Sequence, residues 1–359
     1  MNALFFTPGP GELYPGVTNW IGEALDLQIP SISHRSSAFE EIYCTVEAQL
    51  RSLMSIPNSH RIYFLGSATE VMERVLQSTV RERSVHFVNG AFSKRFHQIA
   101  KELGKNPISV DAPEGEGFEL DSFNFDHQVE AFCLTQNETS TGVMLPADHI
   151  GQFATRWQNQ LIIVDLVSSA PYPQIDFAQV DCGFFSVQKC FGLPAGLGVA
   201  IVGERCLEKA RQLKQQGFSL GSYHNFLELE SFSQKHQTPE TPNVMGIYLL
   251  GRVCEALLTR GIDSVRAEMD QKANMLYSFA TSHAGIEIFV KDHNFRSPTV
   301  IVLGVNDSDK LRSELSKAGI KVGAGYGKLK EKQVRIANFP AHTTEHVARL
   351  IECLDNLVG

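Results

Sequence analysis

The 359-residue sequence has no apolar run approaching the roughly 18 residues that a membrane-crossing helix needs. It has no internal repeat and no low-complexity tract, which excludes solenoids and fibrous arrays. It lacks an excess of positive charge. With 32 basic against 40 acidic side chains the net charge is −8, which argues against a nucleic acid or an anionic membrane surface as main partner. The first residues, MNALFFTPGPGELYPG, carry no basic stretch and soon meet proline and glycine, so they do not read as a signal peptide. The seven cysteines contain no C-x-x-C pair, are odd in number and lie mostly in apolar surroundings. They read as reduced, packed thiols of a cytoplasmic protein. No H-E-x-x-H metal motif occurs. His342 and His346 are four apart but have no cysteine partner, and they read as surface residues of the last helix, so no metal site is expected.

What is present is an ordinary globular composition, 43% hydrophobic and 20% charged, on a chain long enough for a large core. At about 150 residues per domain, two domains are expected. Residues 61–65, 84–88, 131–135, 161–167, 183–187 and 196–202 read as short buried strands. Residues 69–80, 92–103 and 147–157 read as helices between them. Continuous Val/Ile/Leu runs suit strands covered on both faces, and their alternation with helices predicts an α/β fold with a mostly parallel central sheet sandwiched by helices. Beyond residue 242 the rhythm changes. Long helical patterns at 243–260 and 262–282 precede strands at 286–290 and 298–305, a helix at 308–317, a strand at 334–338 and a last helix from about Thr344. This predicts a smaller α+β unit. The expected organisation is an N-terminal arm (1–15), a large α/β domain (16–250) and a small C-terminal domain (251–359).

Two charged residues stand out in this apolar background. Asp165 sits inside the strand LIIVDLV, where a buried carboxylate is costly unless a cation or strong donor pairs with it. Lys189 follows the next apolar strand and precedes a Gly/Pro-rich turn. Partial desolvation lowers an amine pKa and makes the amine a nucleophile toward carbonyls. A carboxylate and a lysine at neighbouring strand ends fit pyridoxal 5′-phosphate (PLP), the lysine as Schiff-base partner and the aspartate holding the pyridine nitrogen protonated. Taken alone, the pair is equally consistent with a structural aspartate and a surface lysine. Other segments point the same way. GSATE at 66–70 follows a strand and opens a helix, which suits phosphate binding at the helix N-terminus. Phe92 falls just after another strand and offers a ring face; Asn137 to Thr139 follow a further one with amide and hydroxyl groups. All lie past the C-terminal ends of presumed parallel strands, where open α/β sheets bind ligands.

With these stretches in place the sequence resembles the class V, fold-type I PLP aminotransferases, the group that includes the phosphoserine and the alanine–glyoxylate/serine–pyruvate enzymes. The resemblance runs over nearly the whole chain in order: TPGPGELYP at 7–15, SHR at 33–35, GSATE, NGAF at 89–92, NETSTG at 137–142, VDLVSSAP at 164–171, SVQKCFGLPAGLG at 186–198, QTPETPN at 237–243 and RIANF at 335–339. It implies that Lys189 is the Schiff-base lysine and Asp165 the partner of the pyridine nitrogen. It implies that Phe92 stacks on the ring where the phosphoserine enzymes usually carry Trp, and that Thr139 bonds the ring's phenolic oxygen. It implies that Ser67, Ala68 and Thr69, with Gln188, hold the cofactor phosphate from one side. Gln237 and Thr238 match a pair that reaches the phosphate from the neighbouring subunit of a homodimer. Arg335 matches the arginine for the substrate α-carboxylate, and His34 and Arg35 a substrate-side His-Arg pair.

One departure bears on the substrate. The phosphoserine enzymes carry a further His-Arg pair shortly before the carboxylate arginine, whereas residues 323–335 read GAGYGKLKEKQVR. Lys328, Lys330 and Lys332 are the available cations, and the plainer reading is a solvated loop. The expected activity is transamination between a small amino acid and a 2-oxo acid, phosphoserine with 2-oxoglutarate as in serine biosynthesis, with alanine or serine and glyoxylate or pyruvate as the alternative. A cysteine desulfurase-like lyase is disfavoured because Phe92 takes the stacking place and Cys353 falls in a helix; Cys190 beside Lys189 reads as a packed small residue. A non-catalytic scaffold is disfavoured by retention of both Lys189 and Asp165.

Overall fold

Apolar runs too short for helices, each followed by an amphipathic helix, build the first half of the chain. A computed structural model describes residues 3–358. In order they form β1 (Leu4–Phe6), α1 (Val17–Asp26), α2 (Ser37–Met54), β2 (His60–Leu65), α3 (Ala68–Thr79), β3 (Ser84–Val88), α4 (Ala91–Glu102) and β4 (Ile108–Asp111). Next come β5 (Ala131–Thr135), β6 (Asn137–Glu138), β7 (Val143–Met144), α5 (Ala147–Arg156), β8 (Leu161–Asp165), β9 (Cys182–Ser186), β10 (Gly198–Gly203), α6 (Glu204–Gln215) and α7 (Phe226–Ser233). The rest is α8 (Val244–Arg260), α9 (Ile262–Ser282), β11 (Ile286–Ile288), β12 (Val300–Val305), α10 (Ser308–Lys317), β13 (Ile320–Ala324), β14 (Gln333–Ala337) and α11 (Thr344–Val358). None of the described helices is long and apolar enough to cross a membrane.

Seven strands form the main sheet in the order β2-β10-β9-β8-β5-β3-β4. β10 is antiparallel to both its neighbours, and the other pairings are parallel. The expected mostly parallel sheet, covered by helices, is therefore present. Period-2 alternation sends successive side chains to opposite faces. Ile162, Val164, Phe132 and Leu134 enter one core with α2, α5 and α8. Leu161, Ile163, Ala131 and Cys133 enter the other with α3, α4, α6 and α7. This two-sided burial is why these strands read as unbroken apolar runs.

The second sheet has the order β1-β13-β14-β12-β11. The N-terminal strand lies parallel to β13, with Leu4 opposite Ile320 and Phe6 opposite Val322. Phe6, Ile301, Leu303, Ile320 and Ile336 pack there against Leu276 and Phe279 of α9 and Val347 and Leu350 of α11. α8 packs against the first core, and the change of core falls within α9, whose Val265 and Met269 belong to the first and whose Leu276 and Phe279 belong to this one. Cys190, Val300, Val302, Ala337 and Phe339 form a small apolar cluster at the junction.

The expectation for the two late histidines needs correction. His342 is fully buried and precedes α11 instead of lying on its surface. Its ring stacks on Phe6 at 4.3 Å, Nδ1 accepts from the Phe339 N–H at 3.1 Å, and Nε2 donates to the Phe5 carbonyl at 3.1 Å. The loop before the helix turns inward, so helical spacing was the wrong guide. Thr343 is the cap, its Oγ1 accepting from the His346 N–H at 3.2 Å.

Candidate active site

Asp165 is the last residue of β8, and Lys189 follows β9 by three residues. β8 and β9 are paired in parallel, Asp165 opposite Phe184, so both charges rise from the same edge of the sheet. Asp165 is 2% exposed, and its Oδ1 accepts from the Val167 N–H at 2.8 Å. Burial pushes its carboxyl up to about 7; Glu138 adds to the rise, while the Val167 N–H and Lys189 oppose it. Lys189 is 9% exposed, and Nζ donates to the Pro8 carbonyl at 2.5 Å. Burial, and after it the Arg335 guanidinium, lower its pKa to about 8 against the opposing pull of Cys190 and Asp165. An amine so placed loses its proton readily and becomes nucleophilic near neutral pH.

The N-terminal segment closes over this lysine. A Cβ built on Gly9 would stand 2.0 Å from Lys189 Nζ, so only glycine leaves room for the amine there. The Gly11 N–H donates to the Gln188 carbonyl at 2.9 Å, which ties the segment to the residue before the lysine.

The turn from β2 into α3 has the geometry expected of GSATE. Ser67 is the N-cap of α3, its Oγ accepting from the Glu70 N–H at 3.1 Å. The Ala68 N–H donates to Ser186 Oγ at 3.0 Å, so β9 supports the turn. Phe92 lies in the first turn of α4, and its ring centroid is 5.9 Å from Lys189 Nζ. Thr139 is buried next to β6. Its carbonyl accepts from Arg335 Nη1 at 3.3 Å, while Arg335 Nε donates to the Ala324 carbonyl at 2.7 Å. Arg335 thus leaves β14 of the second sheet and reaches the loop after β5 of the first. Tyr326 stands between, 5.4 Å from the guanidinium and 5.7 Å from the Phe92 ring.

His34, Arg35, Gln237 and Thr238 form a separate group. Arg35 donates from Nη1 to Gln237 Oε1 at 3.0 Å and to the Thr238 carbonyl at 2.6 Å, and from Nη2 to the Pro239 carbonyl at 3.0 Å. Its guanidinium also lies 4.6 Å from the Phe232 ring centre. His34 is half-buried, and burial and the neighbouring Arg35 hold its pKa down. None of these hydrogen bonds involves Lys189. Lys328, Lys330 and Lys332 are exposed, Lys328 lying 3.5 Å from Glu114, which is the solvated loop that the sequence favours. Cys190 is fully buried in the junction cluster, and burial pushes its thiol well up, as a packed small residue requires.

Sequence reasoning passed over three contributors. Glu138 is fully buried and accepts from the Phe92 and Ser93 N–H groups at the start of α4, the latter at 2.8 Å, and from Ser140 Oγ at 2.7 Å. It holds Phe92 in place through the backbone, and a charge inside the otherwise uncharged NETSTG was the available signal. Pro8 with Gly9, and Tyr326, carried no signal beyond their family stretch or their neighbours.

The remaining polar atoms call for a ligand. Asn137 Oδ1, Thr141 Oγ1 and Gln188 Oε1 are buried without a hydrogen-bond partner among the described residues. Asp165 adds a buried carboxylate bonded to one backbone N–H. These unpartnered oxygens suit a ligand that carries hydrogen-bond donors, and the N-terminus of α3 suits an anion.

Residues 18–344 match the family described as Aminotransferase class-V. The chain belongs to the class-V aminotransferases. It is similar to the crystal structure of a phosphoserine aminotransferase from Cytophaga hutchinsonii, with 43% identity, 100% of each chain covered and a TM-score of 0.98. A phosphoserine aminotransferase of Rhodococcus opacus is 28% identical over 362 residues, covering 99% of this chain and 95% of the relative. The aspartate aminotransferase of Thermus thermophilus shares 22% identity and the fold, with 99% of each chain covered and a TM-score of 0.87. This class-V aminotransferase is accordingly a PLP-dependent enzyme of fold type I that exchanges amino groups between small amino acids and 2-oxo acids. The buried carboxylate, the poised amine and the unpartnered oxygens fit that cofactor.

Proposed function

We propose that the enzyme transfers the amino group of phosphoserine to 2-oxoglutarate, the amino-transfer step of serine biosynthesis, in the cytoplasm. The observation that carries this reading is the 43% identity over the full length of both chains to a phosphoserine aminotransferase. Bound PLP supplies an electron sink for the bond broken at the substrate Cα and carries the amino group between half-reactions. Lys189 would hold the cofactor through Nζ and would supply the base that moves the substrate Cα proton. Its lowered pKa suits a base near neutral pH, and positioned acid–base help of this kind is worth about 10²–10⁴-fold. Asp165 would keep the pyridine nitrogen protonated, from a position that burial shields from water. Phe92 covers one ring face, and Thr139 bonds the ring oxygen. Ser67, Ala68 and Thr69 hold the phosphate at the α3 N-terminus, with Gln188 beside them. Arg335 takes the α-carboxylate with its planar fork.

His34 and Arg35 bind the distal group of the substrate, and Gln237 and Thr238 reach the cofactor phosphate of a partner in a homodimer. In support, Gln237 and Thr238 are tied within one chain to Arg35, not to Lys189. Mixing two inactive variants, Lys189→Ala and Thr238→Asp, tests the shared site: exchange of subunits restores activity if it is shared and leaves the mixture inactive if each chain works alone.

The alternative, alanine or serine as donor with glyoxylate or pyruvate, is favoured by the exposed lysines at 328, 330 and 332, which place no guanidinium fork where the phosphoserine enzymes carry one. Mixing the PLP-loaded enzyme with each amino acid and following conversion to pyridoxamine phosphate separates the two. Phosphoserine reacting far faster than serine or alanine supports the first reading, and the reverse order overturns it.

A further inference from the structure

His224 is fully buried between two carboxylates. Nδ1 lies 2.5 Å from Glu70 Oε1 and Nε2 lies 2.5 Å from Glu240 Oε2. A neutral imidazole donates from one nitrogen only, and an ionised carboxylate only accepts, so both bonds together require the imidazolium. The backbone at His224 has φ 51°, a conformation that side-chain-bearing residues seldom adopt, so the surrounding contacts hold it there.

Glu70 leads to this chain's own phosphate turn, and Glu240 to the pair proposed above to reach the cofactor phosphate of a partner. Glu70 stands in the first turn of α3, and its Oε2 accepts from the Gly66 N–H at 2.9 Å. Its negative charge therefore sits at the helix end assigned above to the cofactor phosphate. Glu240 follows the Gln237–Thr238 pair, its carbonyl accepting from Thr238 Oγ1 at 2.7 Å. Arg35 grips the same loop at the Thr238 and Pro239 carbonyls.

We propose that His224 is a positioning residue for the cofactor phosphate: it offsets the carboxylate charge beside the α3 N-terminus and clamps the 237–240 loop to that turn. The inference rests on the reading of Ser67, Ala68 and Thr69 as the phosphate contacts. Other groups face the triad as well. Tyr223 stacks on the imidazole at 3.8 Å, and Arg74 of α3, paired with Glu73, donates to the Tyr223 carbonyl at 3.1 Å. Glu228 of α7 acts on Tyr223, and His34 and Arg35 lie on the Glu240 side. Burial pulls the His224 pKa down, but the two carboxylates outweigh it and raise it to about 9. The clamp is thus charged at neutral pH and loosens above about 9.

The test titrates apoprotein with PLP and with pyridoxal, which lacks the phosphate, and takes the ratio of the two affinities across pH. Reaction with Lys189 is common to both ligands and cancels in the ratio. His224→Asn keeps a residue type tolerant of positive φ but removes the charge. It is expected to lower the ratio about tenfold or more at neutral pH, the scale of one lost charge-assisted hydrogen bond, and to abolish the fall that wild type shows near pH 9. A folded His224→Asn protein, judged by its melting temperature, that keeps the wild-type ratio overturns the proposal. If that variant does not fold, Glu240→Gln decides, since removing one carboxylate must move the inflection to lower pH; an unmoved inflection overturns it equally. Wild type that prefers PLP no more than pyridoxal overturns the phosphate site itself, and this inference with it.

Discussion

Replacing Gly198 with alanine tests the proposed phosphate turn directly. Gly198 opens β10 between Leu65 of β2 and Ser186 of β9. A Cβ there would lie 2.4 Å from the Ser67 carbonyl carbon, 2.7 Å from its oxygen and 2.8 Å from the Ala68 nitrogen. All three are backbone atoms, so no side chain can swing away. Ordinary contact begins at 3.4 Å, so the Ser67–Ala68 turn must retreat by roughly 1 Å. Overpacking of this kind costs about 1–3 kcal/mol. Because the displaced turn is the one proposed above to hold the cofactor phosphate, PLP affinity should drop by about 10–100-fold. The assay is absorbance titration of apoprotein with PLP, beside a thermal melt. Gly22→Ala is the control: nothing lies within 4 Å of its Cβ, and it sits inside α1. That variant should bind PLP normally and gain up to about 1 kcal/mol of stability. A Gly198→Ala protein that binds PLP within about twofold of wild type and melts at the same temperature refutes the assignment of this turn.

Lys189→Ala should lose turnover and the visible absorbance of bound PLP, and survival of either contradicts its role. Asp165→Asn should stay folded but lose most activity, with unchanged kinetics removing Asp165 from the mechanism. In the apoprotein the folded pKa of Asp165, about 7, lies above its ordinary value of 3.8. Its stabilising share is therefore full below about 3.8 and is lost as pH rises through 7. Urea unfolding of apoprotein from about pH 5 to about pH 8 should show that decline in wild type and a flatter profile in Asp165→Asn; equal slopes argue against a buried proton there. Arg335→Lys should raise KM for the amino acid by about 10–100-fold with a smaller change in kcat, since lysine keeps the charge and loses the fork. A KM within about twofold of wild type assigns the carboxylate to another residue.

Much of the fold was legible along the chain. β3, β5, α9 and α10 have the boundaries that their patterns predict, and α3 and α4 are displaced by one residue. Their signals are local: unbroken apolar runs for strands buried on both faces, and helical periodicity for helices covering them. β13 was less legible because Lys321 within it is exposed and the run is short. β1 is three residues long and has no period to detect. The site divides the same way. Asp165 and Lys189 were legible because a charge inside or just after an apolar strand is conspicuous.

The amino-acid order by itself determined which segments become buried strands, and so that a carboxylate and an amine emerge at one edge of a parallel sheet. Only the tertiary structure decided what surrounds them: the Pro8 carbonyl on Lys189, Glu138 beneath Phe92, Arg335 arriving from the second sheet and His224 between two carboxylates. The reason is that these contacts join residues far apart in the chain. Their distances are set by how whole elements dock, and no local periodicity encodes that.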